Sequence, residues 1–346
     1  MAKKLLNEFS WSFSRYTTFC ECQKRYWYNY YGSWEGWPKT PFDERKEIDP
    51  LAAHLYMLKA IQPMTFFLGS TVHKVIERQF KQNMGVSQRE LPSQDELVAQ
   101  GQTLLLKGIE DSKSGAWKES PKKFANLAEH YFSDGKSDPF PKAKLDEYLD
   151  KVKVCLSNWL ASPVAKMAFS PQAEWLSVEE LSHFMLEGFK IIVVIDFAMK
   201  WKGKEETTIL FDWKTGQESE KNEAQLYSYA LFAKKAMGVP YDKLILSPFY
   251  LFLNKYVKIG TPERPIVEEN LIQLQQEIVA SCKTMTEKLG ANPLEKPDPT
   301  TFRYPENKKR CHYCSYKNLC QKVNFKDATI DELRDSVMKK ECVPVL

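Results

Sequence analysis

Thr208-Ile209-Leu210-Phe211-Asp212-Trp213-Lys214-Thr215-Gly216 is the stretch on which the reading of this chain turns. A β-forming run, Thr208 to Phe211, leads into an aspartate, and a lysine follows two positions later. On a strand successive side chains alternate between faces, so Asp212 and Lys214 point the same way. A carboxylate and an ammonium side by side at a strand end can hold a divalent metal and handle a water molecule, which suits metal-assisted cleavage of a phosphodiester. Taken alone, the Asp-x-Lys triplet is equally well a surface ion pair at a strand end, so its weight depends on its neighbours.

Outward from that strand the texture is β-rich on both sides. Residues 175–185, 188–199 and 207–213 read as three consecutive strands and 244–253 as a fourth, with a helix over 221–236 before the last. A long helix over 267–289 and a proline-rich connector over 292–305 follow. The first half reads as almost entirely helical. Its expected helices cover roughly 15–31 (ended by Gly32), a stretch opening at Asp49-Pro50, 65–82, and one from the capping box Ser93-Gln94-Asp95-Glu96 through Gly108. Leu145, Leu149, Val152, Leu156 and Trp159 mark the apolar face of another, and Thr329-Ile330-Asp331-Glu332 opens a short terminal one. This order predicts an α/β fold. The expected organisation is a core over 1–305 with a helical insertion at about 84–170, closed by a cysteine-rich cap over 306–346 joined to the N-terminal helix.

With 346 residues and a formal net charge of +4, the chain can bury a large core and is only mildly basic. Charge alone does not point to a nucleic-acid partner, but it permits one where lysines and arginines cluster. No stretch is long and apolar enough to span a membrane. Met1-Ala2-Lys3-Lys4-Leu5-Leu6 carries charge without an apolar segment behind it, unlike a signal peptide, so the expected location is the cytoplasm. There the eight cysteines are not expected to form structural disulfides.

Three features raise the weight of the Asp-x-Lys triplet. Asp196 ends the apolar run Ile191-Ile192-Val193-Val194-Ile195, where a carboxylate is costly unless paired or metal-bound, although a turn after a strand would also accept it. Gln225 and Tyr229 lie four apart on the following helix and share a face, as many core pairs also do. His73 closes Gly69-Ser70-Thr71-Val72-His73 on a helix, where a lone histidine is more often packed or solvated than a ligand.

Together these pieces resemble the PD-(D/E)XK nuclease superfamily, in the branch that includes the nuclease domains of RecB and AddB and the CRISPR-adaptation exonucleases. The family order is a helix with G-x-x-x-H, a strand ending in Asp, a strand with (D/E)-x-K, then Q-x-x-x-Y on a helix. Here these are Gly69 to His73, Asp196, Asp212-Trp213-Lys214-Thr215-Gly216, and Gln225 to Tyr229. Ser12-Phe13-Ser14-Arg15-Tyr16 and Cys22-Gln23-Lys24-Arg25-Tyr26-Trp27-Tyr28 are similar to the family's opening motifs. Val193 stands where members often carry glycine, and Gln23 where proline is usual; neither removes a catalytic group.

The resemblance implies a restriction-endonuclease-like core, a mixed central sheet flanked by helices. It implies that His73, Asp196, Asp212 and the Trp213 backbone carbonyl hold Mg²⁺ or Mn²⁺, and that Lys214 orients the attacking water and helps to deprotonate it. Gln225 and Tyr229 would place the substrate strand. The family's extra upstream glutamate could be Glu174, Glu179 or Glu180, and spacing favours Glu180. The implied activity is exonucleolytic hydrolysis of DNA with single-stranded or free ends, in repair or recombination, CRISPR adaptation or phage defence. The chain has no P-loop motif, so a helicase or CRISPR-adaptation partner would have to feed it DNA unless it acts alone.

Cys311-His312-Tyr313-Cys314 and Cys320 form C-x-x-C-x5-C, a spacing that points to metal in a cytosolic protein. Zinc is one reading, with His312 or an upstream cysteine as fourth ligand, although the second local pair usual in zinc ribbons is absent. The resemblance implies another: an iron–sulfur subfamily with one cysteine before the nuclease core and three after it. Cys22, Cys311, Cys314 and Cys320 would then hold a [4Fe–4S] cluster that staples the chain ends. Cys20 competes for the first position; Cys155, Cys282 and Cys342 are read as ordinary thiols. The N-terminal aromatics could stack exposed bases, but packing is their commoner use. Lys308-Lys309-Arg310 could meet phosphates or simply be solvated. A non-catalytic iron–sulfur DNA-binding scaffold is the competing function, and the Asp212/Lys214 pair argues against it.

Overall fold

The computed structural model describes residues 6–39, 47–86, 88–290, 292 and 295–338. The chain divides into two compact units, Met1–Met64 with Gly108–Pro139 and Ala280–Leu346, and Thr65–Lys107 with Phe140–Val279. The stretch 84–170, expected as one insertion, gives 108–139 to the first unit and its remainder to the second. Cys342 and parts of the 292–305 connector lie outside the described residues.

In the first unit the N-terminal aromatic run is core. Tyr26, Trp27 and Tyr28 are fully buried. Trp27 Nε1 donates to the Pro297 carbonyl at 2.7 Å, and the Lys24 backbone N–H donates to the Arg303 carbonyl at 3.1 Å. Lys24 is only 1% exposed. A buried ammonium is tolerated only with partners, and Nζ has the Pro299 carbonyl at 2.8 Å and the Asp327 carboxylate at 3.5 Å. Arg310 of the basic triplet pairs with Glu21.

The helix expected over 15–31 is broken. Phe13–Glu21 and Gln23–Trp27 are separate helices, with Cys22 extended between them at φ −166°, and a π-helical turn Tyr28–Gly32 follows. Cys22 Sγ caps the second helix by accepting the Arg25 N–H at 3.3 Å. At Gly32 a Cβ would stand 2.4 Å from the Trp27 ring, so only glycine fits there. Two short strands, β1 (Ile61–Gln62) and β2 (Asn126–Leu127), pair in parallel. The capping box at Thr329 forms as expected: the Thr329 N–H donates to Glu332 at 2.7 Å and the Glu332 N–H donates back to Thr329 Oγ1 at 3.3 Å.

The second unit holds a five-stranded mixed sheet in the order β3 (Ala173–Leu186), β4 (Phe189–Lys202), β5 (Glu206–Lys214), β6 (Leu244–Tyr250), β7 (Lys255–Tyr256). A Glu187-Gly188 turn joins β3 to β4, and its φ values of 47° and 85° are those of a two-residue hairpin loop. β5 and β6 run parallel, and the crossover this requires is supplied by the helix Glu220–Ala236. Helices flank the sheet: Phe80 of Met64–Gln82 stacks on Phe197 of β4 at 4.1 Å, and Phe232 of Glu220–Ala236 lies 6.3 Å from Phe184 of β3. The α/β class and the mixed sheet follow the expectation. β5 is buried without a break from Thr208 to Trp213, as a central strand should be. No helix among the described residues is long and apolar enough to cross a membrane.

Candidate active site

Burial of β5 on both faces sets the chemistry of its end. Asp212 is 2% exposed, so its charge needs partners. The strand alternation supplies Lys214, whose Nζ donates to Asp212 Oδ1 at 3.1 Å and stands 2.8 Å from Oδ2. The second contact is an ion pair without hydrogen-bond geometry, so Oδ2 is buried with no hydrogen bond of its own. Burial pushes the Asp212 carboxyl up to about 6, with Lys214 opposing and Asp196 reinforcing the shift. Burial alone would lower Lys214, but the Asp212 carboxylate outweighs it and the lysine is raised.

The Glu220–Ala236 helix closes a ring around this pair. Lys214 Nζ donates to Gln225 Oε1 at 3.1 Å, Gln225 Nε2 donates to Tyr229 OH at 2.7 Å, and Tyr229 OH donates to Asp212 Oδ1 at 3.4 Å. Tyr229 is 3% exposed. The two side chains, expected to place substrate, have their polar atoms on the strand pair.

On the other side of Trp213 a second set converges. The Trp213 N–H donates to Asp196 Oδ2, and the Trp213 carbonyl lies 2.9 Å from His73 Nε2. His73 Nδ1 is 3.2 Å from Glu179 Oε1 and 3.4 Å from Asp196 Oδ1. Burial lowers the imidazole, but Asp196 and Glu179 reverse this and raise it well above its ordinary value. Burial also raises Glu179, which His73 opposes. His73, Glu179 and Asp196 present ligand atoms within 4.8 Å of one another. Gly69, one turn before His73, is where the helix passes Thr215: a Cβ there would stand 3.1 Å from Thr215 Oγ1.

The structure thus brings together His73, Asp196 and the Trp213 carbonyl, with Asp212 and Lys214 adjoining. Of the three candidate glutamates it is Glu179 that lies beside His73 and Asp196. Glu180 registers opposite Ile195, not Asp196, and is exposed. Glu174 is exposed and paired with Lys202 at 2.8 Å. Glu179 lies between the pairs Val178–Phe197 and Glu180–Ile195, which sets it across the hairpin from Asp196, and its backbone there is left-handed, φ 48°. A non-glycine residue there costs energy, and such strain gathers at functional positions. Counting back from the Glu187-Gly188 turn along the hairpin would have found it.

One nitrogen and several hard oxygens suit Mg²⁺ or Mn²⁺. Ligation by His73 would require the proton it now holds to leave.

The cysteines present a different picture. Cys22, Cys311 and Cys314 are half-buried, Cys320 is buried and Cys20 is exposed. Burial pushes Cys22 up to about 11 and Cys320 to about 12, and in both the other thiols add to the shift. They lie within electrostatic range of one another, yet among the described residues no three of them come as close as the His73–Glu179–Asp196 group. Cys155 and Cys282 are buried, and burial raises each to about 12.

A family model described as the PD-(D/E)XK nuclease superfamily matches residues 10–321. The crystal structure of SSO0001 is similar to 62% of this chain and 83% of its own, at 12% identity and a TM-score of 0.25, too low to argue from. No curated protein matches.

Proposed function

Because the chain belongs to the PD-(D/E)XK nuclease superfamily, whose members are metal-dependent nucleases, we propose that it is a Mg²⁺- or Mn²⁺-dependent deoxyribonuclease acting as an exonuclease on single-stranded ends. The observation that carries this reading is the Lys214–Asp212 pair standing beside the His73–Glu179–Asp196 group, with the backbone of Trp213 between them.

In this reading His73, Glu179, Asp196, Asp212 and the Trp213 carbonyl hold the cation, which when bound lowers the pKa of a water and offsets phosphate charge. Lys214 donates to the attacking water and to the developing phosphate charge. Against the effect of burial, the Asp212 carboxylate raises the lysine pKa in the metal-free protein, which suits the donor role. Gln225 and Tyr229 fix the direction of the ammonium and of the Asp212 carboxylate.

For the cysteines the reading is a [4Fe–4S] cluster on Cys22, Cys311, Cys314 and Cys320. One observation supports a shared centre. The thiols influence one another electrostatically although they come from both ends of the chain. A cytoplasmic setting, a role in repair, CRISPR adaptation or phage defence, and a helicase or CRISPR-adaptation partner belong to the same proposal.

The test is digestion of end-labelled single- and double-stranded DNA with Mg²⁺, Mn²⁺ or EDTA, after anaerobic purification. Metal-dependent shortening of single strands from an end supports the reading. Binding without cleavage in every metal supports the scaffold instead.

A further inference from the structure

The helix face that delivers His73 continues to an exposed aromatic ring. Phe66 lies seven residues before His73, which is two helical turns, or about 10 Å along the axis. It is 70% exposed. Phe66, Ser70, His73 and Lys74 line one cleft of about 760 Å³, with Lys151 and Glu179 among its other walls. A phenylalanine held in water forgoes burial, and singly it would need no comment. This one stands over the cleft that holds the candidate ligands. Lys74 is exposed, and the Lys151 ammonium is set 5.1 Å from the Phe252 ring. An apolar ring and two ammonium groups in a cleft with hard-metal ligands match the chemistry of a nucleotide strand: a π-face for a base and cations for phosphates.

Resting on the nuclease reading above, we propose that Phe66 is a base-stacking platform for a single-stranded segment crossing this cleft, and that Lys74 and Lys151 take its phosphates. The platform selects single strands because a paired base is already stacked within its duplex and cannot meet the ring. It acts on binding and register, and the chemistry stays with the Asp212–Lys214 end.

The test is fluorescence anisotropy of labelled oligonucleotides on the full chain in EDTA, scanning one abasic position along the strand, with Phe66→Ala and Phe66→Trp beside the wild type. The proposal expects Phe66→Ala to bind the intact strand about tenfold more weakly. It expects one abasic position to cost the wild type a similar factor and Phe66→Ala nothing, with Phe66→Trp restoring both. Lys74→Ala and Lys151→Ala should each reduce the salt slope by about one. Equal binding by Phe66→Ala and wild type, or equal sensitivity to the abasic scan, overturns it, as does absence of strand binding by the wild type. The same preparations with Mn²⁺ separate the two readings. Digestion by a wild type whose binding ignores Phe66 removes the platform alone, whereas an intact Phe66 effect without digestion in any metal removes the nuclease.

Discussion

Two regions of this molecule offer donors for metal chemistry, and they differ in how the protein keeps them ready. Around β5 the donors are hard: one imidazole, three carboxylates and a carbonyl, already bonded to one another. His73 sits between Glu179, Asp196 and the Trp213 carbonyl, and Lys214 sits on Asp212. Two protein cations, the imidazolium and the ammonium, balance the buried carboxylates. Around Cys22 and Cys311–Cys320 the donors are soft: burial has pushed Cys22, Cys314 and Cys320 towards the neutral thiol, and at Cys314 Arg25 only partly opposes it. The first region can exist without its metal because its own charges substitute. Under the proposed cluster, the second would gain its charge and its bonds together as the metal binds.

That contrast can be broken most sharply at the strand end. Lys214→Ala or Asp212→Ala should lower the rate of DNA digestion by about a thousandfold or more, with far-UV circular dichroism retained. Digestion near the wild-type rate would refute the assigned roles. Next comes the thiol region. Cys314→Ser should abolish the visible absorbance of anaerobically purified protein and lower its thermal midpoint, because cluster binding energy is folding energy there. It should leave Mn²⁺ binding at the other region unchanged, and a parallel loss of Mn²⁺ affinity would erase the distinction. His73→Ala should weaken Mn²⁺ affinity by on the order of 100-fold, read by calorimetry, with the protein still folded.

The pH dependence of the strand end has a definite sign. Asp212 is raised from 3.8 to about 6 by burial, so metal-free folded protein binds a proton between those values that the unfolded chain has released. The contribution of Asp212 to metal-free stability therefore falls as pH rises from about 4 to 6. Activity should run the other way, declining as pH falls through about 6 because a protonated Asp212 is a poor ligand. Raising Mn²⁺ should move that decline to lower pH. The smallest effect separates neighbours: Glu179→Gln should weaken Mn²⁺ binding, while Glu180→Gln should leave digestion unchanged and stability within about 0.5 kcal/mol.

Sequence periodicity carried the parts that obey it. The β5 strand, the helix bearing His73 and the four-residue spacing of Gln225 and Tyr229 were readable because alternation and helical repeat fix which side chains share a face. Glu179 was missed because spacing along the chain pointed to Glu180, whereas pairing the two strands outward from Glu187-Gly188 sets Glu179 across from Asp196. The bonding of Gln225 and Tyr229 to the strand pair was hidden too, since a shared face does not say whether it meets water or a buried lysine. In the thiol region the C-x-x-C spacing was visible, but the helix break at Cys22 was not. There the cap is a sulfur accepting the Arg25 N–H, outside the usual capping vocabulary of Ser, Thr, Asp and Asn.

The most direct test is a metal-restoration assay on an end-labelled single strand, with wild type and Lys214→Ala compared after EDTA treatment. Wild type should be silent in EDTA and recover digestion on adding Mn²⁺, while Lys214→Ala should stay silent with Mn²⁺ bound. Digestion in EDTA, or wild-type digestion by Lys214→Ala, would contradict a metal-and-lysine nuclease at the end of β5.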